Sequence, residues 1–230
     1  MPDRRSDQLP LFALDHVLMP GLPLPLHVFE PRYRRLVADV TAGGTNGSFG
    51  VVLGSGSGPA VAEVGTVAEI LACEPYPDGR CDLLTVGSRR FRILDLDSAS
   101  RPYLCAAVEF LDEPVGAVGS VLLARTRRLA RRYAEALPPS ARSDRSLPAD
   151  RQGESAVHTA GTHDAVRLSY ETAGALQLDV EERQQLLAGA TAADRLEAEC
   201  RLLRRELAIF AHVMALPVPA PSLLVETSRN

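Results

Sequence analysis

Residues 9–36 read "LPLFALDHVLMPGLPLPLHVFEPRYRRL", a strongly apolar stretch that carries five prolines: Pro10, Pro20, Pro23, Pro25 and Pro31. A membrane-spanning helix needs an unbroken apolar run, and these prolines, with Asp15 and His16, interrupt it. Proline cannot donate to a β-ladder and pushes the residue before it toward extended backbone. The stretch therefore reads as short strands joined by tight turns. "LPLFAL" (9–14) is one strand, Pro20-Gly21 marks a turn, and "LPLHVF" (24–29) is a second strand with its prolines at an edge or bend. "EPRYRRLVADVTAGG" (30–44) then turns helical. Pro31 suits the first helical turn, Glu30 sits at its positive end, and Gly43-Gly44 stop it. Tyr33, Leu36, Val37 and Val40 recur at helical spacing and define one buried face.

Working outward, Phe49–Leu53 reads as a strand and "GSGSGP" (54–59) as a flexible loop that matches no phosphate-cradling glycine motif. Val64–Tyr76 and Arg80–Val86 read as strands of a hairpin about Asp78-Gly79. A two-residue turn there sets Tyr76 opposite Cys81 and Cys73 opposite Leu84. "RRFRILDL" (89–96) and "YLCAAVEFLDEP" (103–114) supply two more strands. Residues 9–114 thus form a mostly antiparallel β unit with one helix.

From Val115 the period becomes helical, with Leu122, Leu129, Tyr133 and Leu137 on one side of the first helix. Residues 138–163 are polar and proline-rich and are expected to form a mobile loop. Residues 164–176 are expected to be helical. Asp179 followed by Glu182 is a capping-box pattern opening another helix. In the last and longest helix, Leu196, Cys200, Leu203, Leu207, Phe210 and Met214 alternate at spacings of four and three. That stripe fits a seam against the chain's own helices or a short dimeric coiled coil, so a monomer and a homodimer both remain open. The tail from Pro217 reads as extended and frayed. The expected organisation is a β-rich unit over residues 1–115 and a helical bundle over 116–230.

The composition excludes several chemistries. All 25 basic residues are arginine, so no P-loop lysine, Schiff-base lysine or Ser–Lys dyad exists. Cys73, Cys81, Cys105 and Cys200 lack C-x-x-C spacing and read as small buried hydrophobes. The five histidines form no tight metal motif, and no serine sits in a G-x-S-x-G elbow. Neither a catalytic residue, a metal nor a cofactor is expected. The first residues, "MPDRRSDQ", have no signal-peptide apolar core behind their charges and the stretch after them is broken by prolines, which points to a cytoplasmic protein with reduced thiols and no membrane partner. Net charge is −4, so nucleic acid is disfavoured as a partner, although "RTRRLARR" (125–132) packs five arginines into eight residues.

The opening stretch, with its Pro20-Gly21 turn and the run Phe29-Glu30-Pro31-Arg32-Tyr33-Arg34, resembles the start of the amino-terminal, substrate-binding domain of the Lon protease family. "FGVVL" (49–53), "EVGTVAEI" (63–70), "GSRRFRI" (87–93), "EERQQLLAG" (181–189) and "DRLEAECRLLRREL" (194–207) continue the likeness in order. The resemblance implies an α+β fold, a PUA-like antiparallel pseudo-barrel followed by a helical bundle. It also implies a non-catalytic module that binds unfolded or apolar polypeptide segments, or a partner protein. In full-length Lon this domain precedes an ATPase and a Ser–Lys protease domain; here no Walker A sequence and no lysine is present, so a stand-alone domain is expected. Phe29, Glu30, Arg32, Tyr33, Arg89, Arg90 and Phe91 are the candidate peptide- or partner-binding residues. Core packing competes with ligand contact for Phe29, Tyr33 and Leu36, and an internal salt-bridge set competes with a groove rim for Glu30, Arg32 and Arg90. An RNA-binding PUA-like module and an adaptor for a folded partner are the alternatives.

Overall fold

Strand β1 (Leu9–Leu14) lies between β3 (Ser48–Leu53), its parallel neighbour, and β6 (Leu104–Phe110), which runs antiparallel. β3 pairs with β4 (Val64–Pro75), β4 with β5 (Cys81–Asp97), and β5 returns to β6, closing the ring. The structure, a computed structural model, describes residues 8–42, 47–54, 60–138 and 160–215; among these only the β1–β3 pairing is parallel, and the fold is the expected pseudo-barrel. Strand β2 (Pro23–Val28) stands outside the ring and pairs with the first part of β5, from Pro23 opposite Val86 to Val28 opposite Cys81. Pro23 and Pro25 share one parity along β2, so both missing N–H donors fall on its open edge, where the ladder with β5 loses nothing.

Side chains from all five ring strands meet in one apolar cluster: Leu11, Ala13, Val52, Val67, Phe91 and Ala106. Phe91 is fully buried at its centre. Its ring occupies the space that Gly50 and Gly65 leave open; a Cβ at either glycine would stand 2.7 or 2.6 Å from the Phe91 Cζ. Helix α1 (Pro31–Thr41) covers the ring, burying Tyr33, Leu36 and Val37 against alternate residues of the same strands, including Phe12 and Phe49. Tyr33 stacks on Phe12 at 3.7 Å, donates its hydroxyl proton to the Ala13 carbonyl and accepts from the Ala13 amide.

Two local expectations are corrected. The β4–β5 turn is one residue longer than a two-residue hairpin: the Tyr76 amide donates to the Arg80 carbonyl, so Pro75 faces Cys81 and Cys73 faces Leu83. Pro77 enters the loop with its fixed negative φ, and Gly79 closes it in left-handed backbone at φ +82°, the geometry of a three-residue loop. The segments expected as separate strands before and after Gly87 are one strand, β5, which passes so close to Met19 that a Cβ on Gly87 would stand 2.4 Å from the Met19 carbonyl oxygen.

The helical part comprises α2 (Ser120–Ala136), α3 (Ala160–Ala175), α4 (Val180–Ala188) and α5 (Ala192–Ala215). Of the loop expected at 138–163, residues 139–159 lie outside the described residues, as does the tail, while residues 160–163 already belong to α3. Leu122, Leu129, Tyr133 and Leu137 of α2 and its end pack on Leu196, Cys200 and Leu203 of α5, so the stripe on α5 is a seam within the chain. Asp179 caps α4 by accepting from the Glu182 amide at 2.7 Å, but the Glu182 carboxylate reaches across to Arg205 rather than back to the cap. Barrel and helices share a further apolar cluster, in which Val17, Met19 and Val64 meet Tyr170, Ala173, Leu186 and Leu187. No helix among the described residues is long and apolar enough to cross a membrane. All four cysteines are free thiols; Cys81, Cys105 and Cys200 are buried, whereas Cys73 is exposed beside the hairpin tip, where the apolar core has ended.

Truncation at the packed centre should be costly. Phe91→Ala is expected to destabilise by about 3–5 kcal/mol through its cavity, and Gly65→Ala by about 1–3 kcal/mol through overpacking. Urea unfolding followed by circular dichroism measures both.

Candidate functional site

The geometry divides the seven candidate residues. Tyr33, Arg90 and Phe91 are buried, at 4%, 2% and 0% exposure, so they shape the scaffold rather than touch a ligand at the surface. Phe29 is 61% exposed at the end of β2. Glu30 and Arg32 pair with each other at 2.8 Å, and the Arg32 guanidinium lies over the outer face of Tyr33 at 4.4 Å. Arg89 lies apart from these, over the Phe110 ring at 4.0 Å.

Phe29 belongs to an exposed apolar surface on the outer face of β2, β5 and β4. Alternation sends Leu24 and Leu83 inward and leaves Pro25 and its cross-strand neighbour Leu84 outward, with Ala72 beyond. The next row is His27, Asp82 and Glu74. His27 stands 6.1 Å from both the Phe29 and the Tyr76 rings, so the three rings form one group. Asp82 ties it down: one carboxylate oxygen lies 2.6 Å from His27 Nδ1, and the other accepts from the Tyr76 hydroxyl at 2.7 Å. The bonds from Tyr76 and then from His27 hold the Asp82 carboxyl below its usual range. An exposed aromatic group held rigid this way loses little conformational freedom on contact with a partner, which suits recognition.

A second feature lies at the junction of barrel and helices. A cleft of about 460 Å³ is lined by the Pro20-Gly21 turn, Ser88 and Arg89 of β5, Leu111 to Glu113, and Val166 and Tyr170 of α3. Among its lining residues is Glu113, whose carboxylate gathers several donors. Arg90 donates to it twice, at 2.7 and 3.1 Å, Arg195 at 3.1 Å and the Tyr170 hydroxyl at 2.6 Å. Both arginines are almost fully buried, and their other donors reach the Leu187, Gly189 and Asp112 carbonyls and the Ser169 hydroxyl. Burial pushes the Tyr170 phenol up, so it stays a proton donor at every physiological pH. One helical turn beyond Arg195, Glu199 is wholly buried with neither carboxylate oxygen hydrogen-bonded. Burial, against the pull of the Arg195 guanidinium, drives its carboxyl well above the ordinary range.

Sequence reading missed Tyr76, Leu84, the His27–Asp82 pair, Glu113 and Tyr170. The parity of β2 against β5 would have placed Pro25 beside Leu84 and His27 beside Asp82, had the register been known. No local pattern marks Glu113, whose partners come from residues 90, 170 and 195. Among the described residues no group of three or more His, Cys, Asp or Glu is placed to hold a metal ion.

A closed ring of strands carrying a two-stranded arm and joined to helices is the architecture of Lon amino-terminal domains. The profile of the "ATP-dependent protease La (LON) substrate-binding domain" matches residues 8–205, and the chain belongs to that family. The crystal structure of a Lon N-terminal domain protein from Xanthomonas campestris superposes with a TM-score of 0.60 at 26% identity, covering 83% of this chain and 95% of that one. The N-terminal domain of the Mycobacterium avium complex Lon protease shares the fold at a TM-score of 0.58 and 18% identity, over 87% of this chain and 98% of that chain. The Lon protease of Flavobacterium johnsoniae is 30% identical over 110 residues, 46% of this chain and 13% of that protein, so the match spans a small part of that relative.

Two outcomes test the junction. Glu113→Ala strands two buried guanidiniums and is expected to cost about 3 kcal/mol, read from the denaturation midpoint. For Glu199, the folded state keeps a proton that the unfolded chain releases above its ordinary value of 4.5. Its burial therefore lowers stability as pH rises above that value. Glu199→Gln should raise the melting temperature at pH 7, with the gain shrinking to nothing near pH 4.

Proposed function

We propose that this chain is a non-catalytic polypeptide-recognition module, which holds unfolded or apolar segments against the face built by Phe29, Tyr76, Leu84 and Pro25. The observation that carries the reading is the clustering of these exposed apolar side chains, Phe29 foremost, on one rigid sheet arm. Glu30 and Arg32 form the polar rim, and Arg89 marks the mouth of the neighbouring cleft. Tyr33 belongs to the core beneath the arm with Leu24 and Leu83, whereas Phe91 fills the barrel and Arg90 the junction with the helices. The open edge of β2 lacks donors at Pro23 and Pro25, which disfavours capture by strand addition and favours contact through side chains. Residues 1–115 carry the docking face, and residues 116–230 brace it through Glu113. Four free thiols fit work in the cytoplasm, where they stay reduced.

The test is fluorescence anisotropy with a labelled, permanently unfolded, apolar-rich polypeptide. Saturable binding that persists from low to moderate salt is expected, weakened roughly tenfold by Phe29→Ala with Leu84→Ala. Wild-type affinity in that double variant, with the fold intact by circular dichroism, would remove the face from the reading.

A further inference from the structure

The arginines sort by location. On the barrel, Arg32, Arg35, Arg80, Arg90, Arg92 and Arg101 each meet a carboxylate, Arg34 a carbonyl and Arg89 a ring. In α3 and α4, Arg167 and Arg183 are likewise engaged, as are Arg131 of α2 and Arg195 and Arg205 of α5. Among the described residues, the arginines with no ion pair, hydrogen bond or ring partner are Arg125, Arg127, Arg128, Arg132, Arg201 and Arg204. Every one lies on α2 or α5.

Those two helices pack side by side and run the same way: Thr126 touches Cys200, and seven residues on Tyr133 touches Phe210. On α2, Val121, Arg125, Arg128 and Arg132 follow at i, i+4, i+7 and i+11, a single stripe. From Arg125 to Arg132 this stripe runs about 10 Å along the axis. Val121, at 77% exposure, begins it, and the Arg125 Nε is buried without a partner. Arg201 and Arg204 occupy the exposed side of α5. Of the carboxylates on these helices, Glu135 and Glu206 are already engaged, Asp194 accepts from Thr191, Glu199 is buried, and Glu197, one turn before Arg201, makes no ion pair with it.

We infer that the exposed face of α2 and α5 is a docking surface for an acidic polypeptide segment, distinct from the apolar face at Phe29. Charge complementarity selects an anionic partner, since the unpaired guanidiniums of Arg125, Arg128 and Arg132 share one stripe of α2 and those of Arg201 and Arg204 the exposed side of the helix packed beside it, on a chain of net charge −4. Two observations select polypeptide over nucleic acid. Among the described residues the exposed large apolar side chains of these helices, Val121 and Ile209, are aliphatic, and the exposed ring of α5, His212, lies eight residues beyond Arg204, so the arginine stripe carries no aromatic platform for base stacking. The negative net charge repels a long polyanion but hardly opposes a short acidic segment, because screening confines the interaction to about 10 Å at 0.1 M salt.

The experiment uses the full chain and three labelled probes: a 20-residue alternating Glu/Ala peptide, its Gln/Ala counterpart, and an oligouridylate of equal charge. Expected are saturable binding of the Glu/Ala peptide at low salt, loss of that binding as salt rises, and none of the Gln/Ala peptide. Arg128→Ala with Arg132→Ala and Arg204→Ala should weaken it roughly tenfold. The same triple variant should leave the apolar-polypeptide affinity unchanged, which separates this surface from the Phe29 face. Arg35→Ala, on the barrel, should change neither. Should the triple variant melt early, the single reversal Arg204→Glu gives the same readout with less disturbance. Failure to bind the Glu/Ala peptide, binding indifferent to these arginines, or tighter binding of the oligouridylate would overturn the inference.

Discussion

The Glu113 carboxylate is the point on which the two parts of the molecule are hung. It sits between a guanidinium from the barrel, Arg90, and one from the last helix, Arg195, with Tyr170 donating from a third element. Taking two cations out of water costs several kcal/mol each, and the attraction offsets that cost only when the remaining donors are satisfied. Here they are, by carbonyls at Asp112, Leu187 and Gly189. The arrangement fixes the helices relative to the barrel more narrowly than the shared apolar cluster alone, because hydrogen bonds tolerate small displacements poorly. The same carboxylate lines the cleft at this junction.

The same residue type serves opposite ends in one chain. Arg90 and Arg195 act as buried, multidentate clamps, Arg32 and Arg89 lie flat on aromatic rings, and Arg128, Arg132, Arg201 and Arg204 stand in solvent. A planar fork with five donors suits the first two environments, and a lysine ammonium would fill neither well. A chain with no lysine therefore loses no structural means here.

Much of the fold was legible in the sequence because it rests on local rules. Proline spacing delimited β1 and β2, Pro31 opened α1, and helical periodicity placed Leu122, Leu129, Tyr133 and the α5 seam. The family motifs gain a physical meaning in three dimensions: Gly50, Gly65 and Phe91, drawn from three of them, are the two gaps and the ring that fills them. What sequence could not supply was register. A loop one residue longer than expected moved every partner between β4 and β5, and the docking face depends on those partners. Arg90 looked equally suited to a rim or to an internal pair until the chain's return at residue 113 and residue 195 enclosed it. The two parallel strands β1 and β3, brought together across the intervening arm and helix, carry no local signature at all.

Strand β5 belongs to every part of this architecture at once. Its first residues hold the proline-edged arm, its middle carries Arg90 into the junction with the helices, and its end closes the ring against β6. Such a strand acts as a tie beam. The arm cannot peel from the barrel without disturbing the backbone that also seats Arg90, and the helices cannot detach without loosening the same strand. Anything seated on the arm is thus coupled through continuous main chain, not through a hinge, to the far side of the molecule.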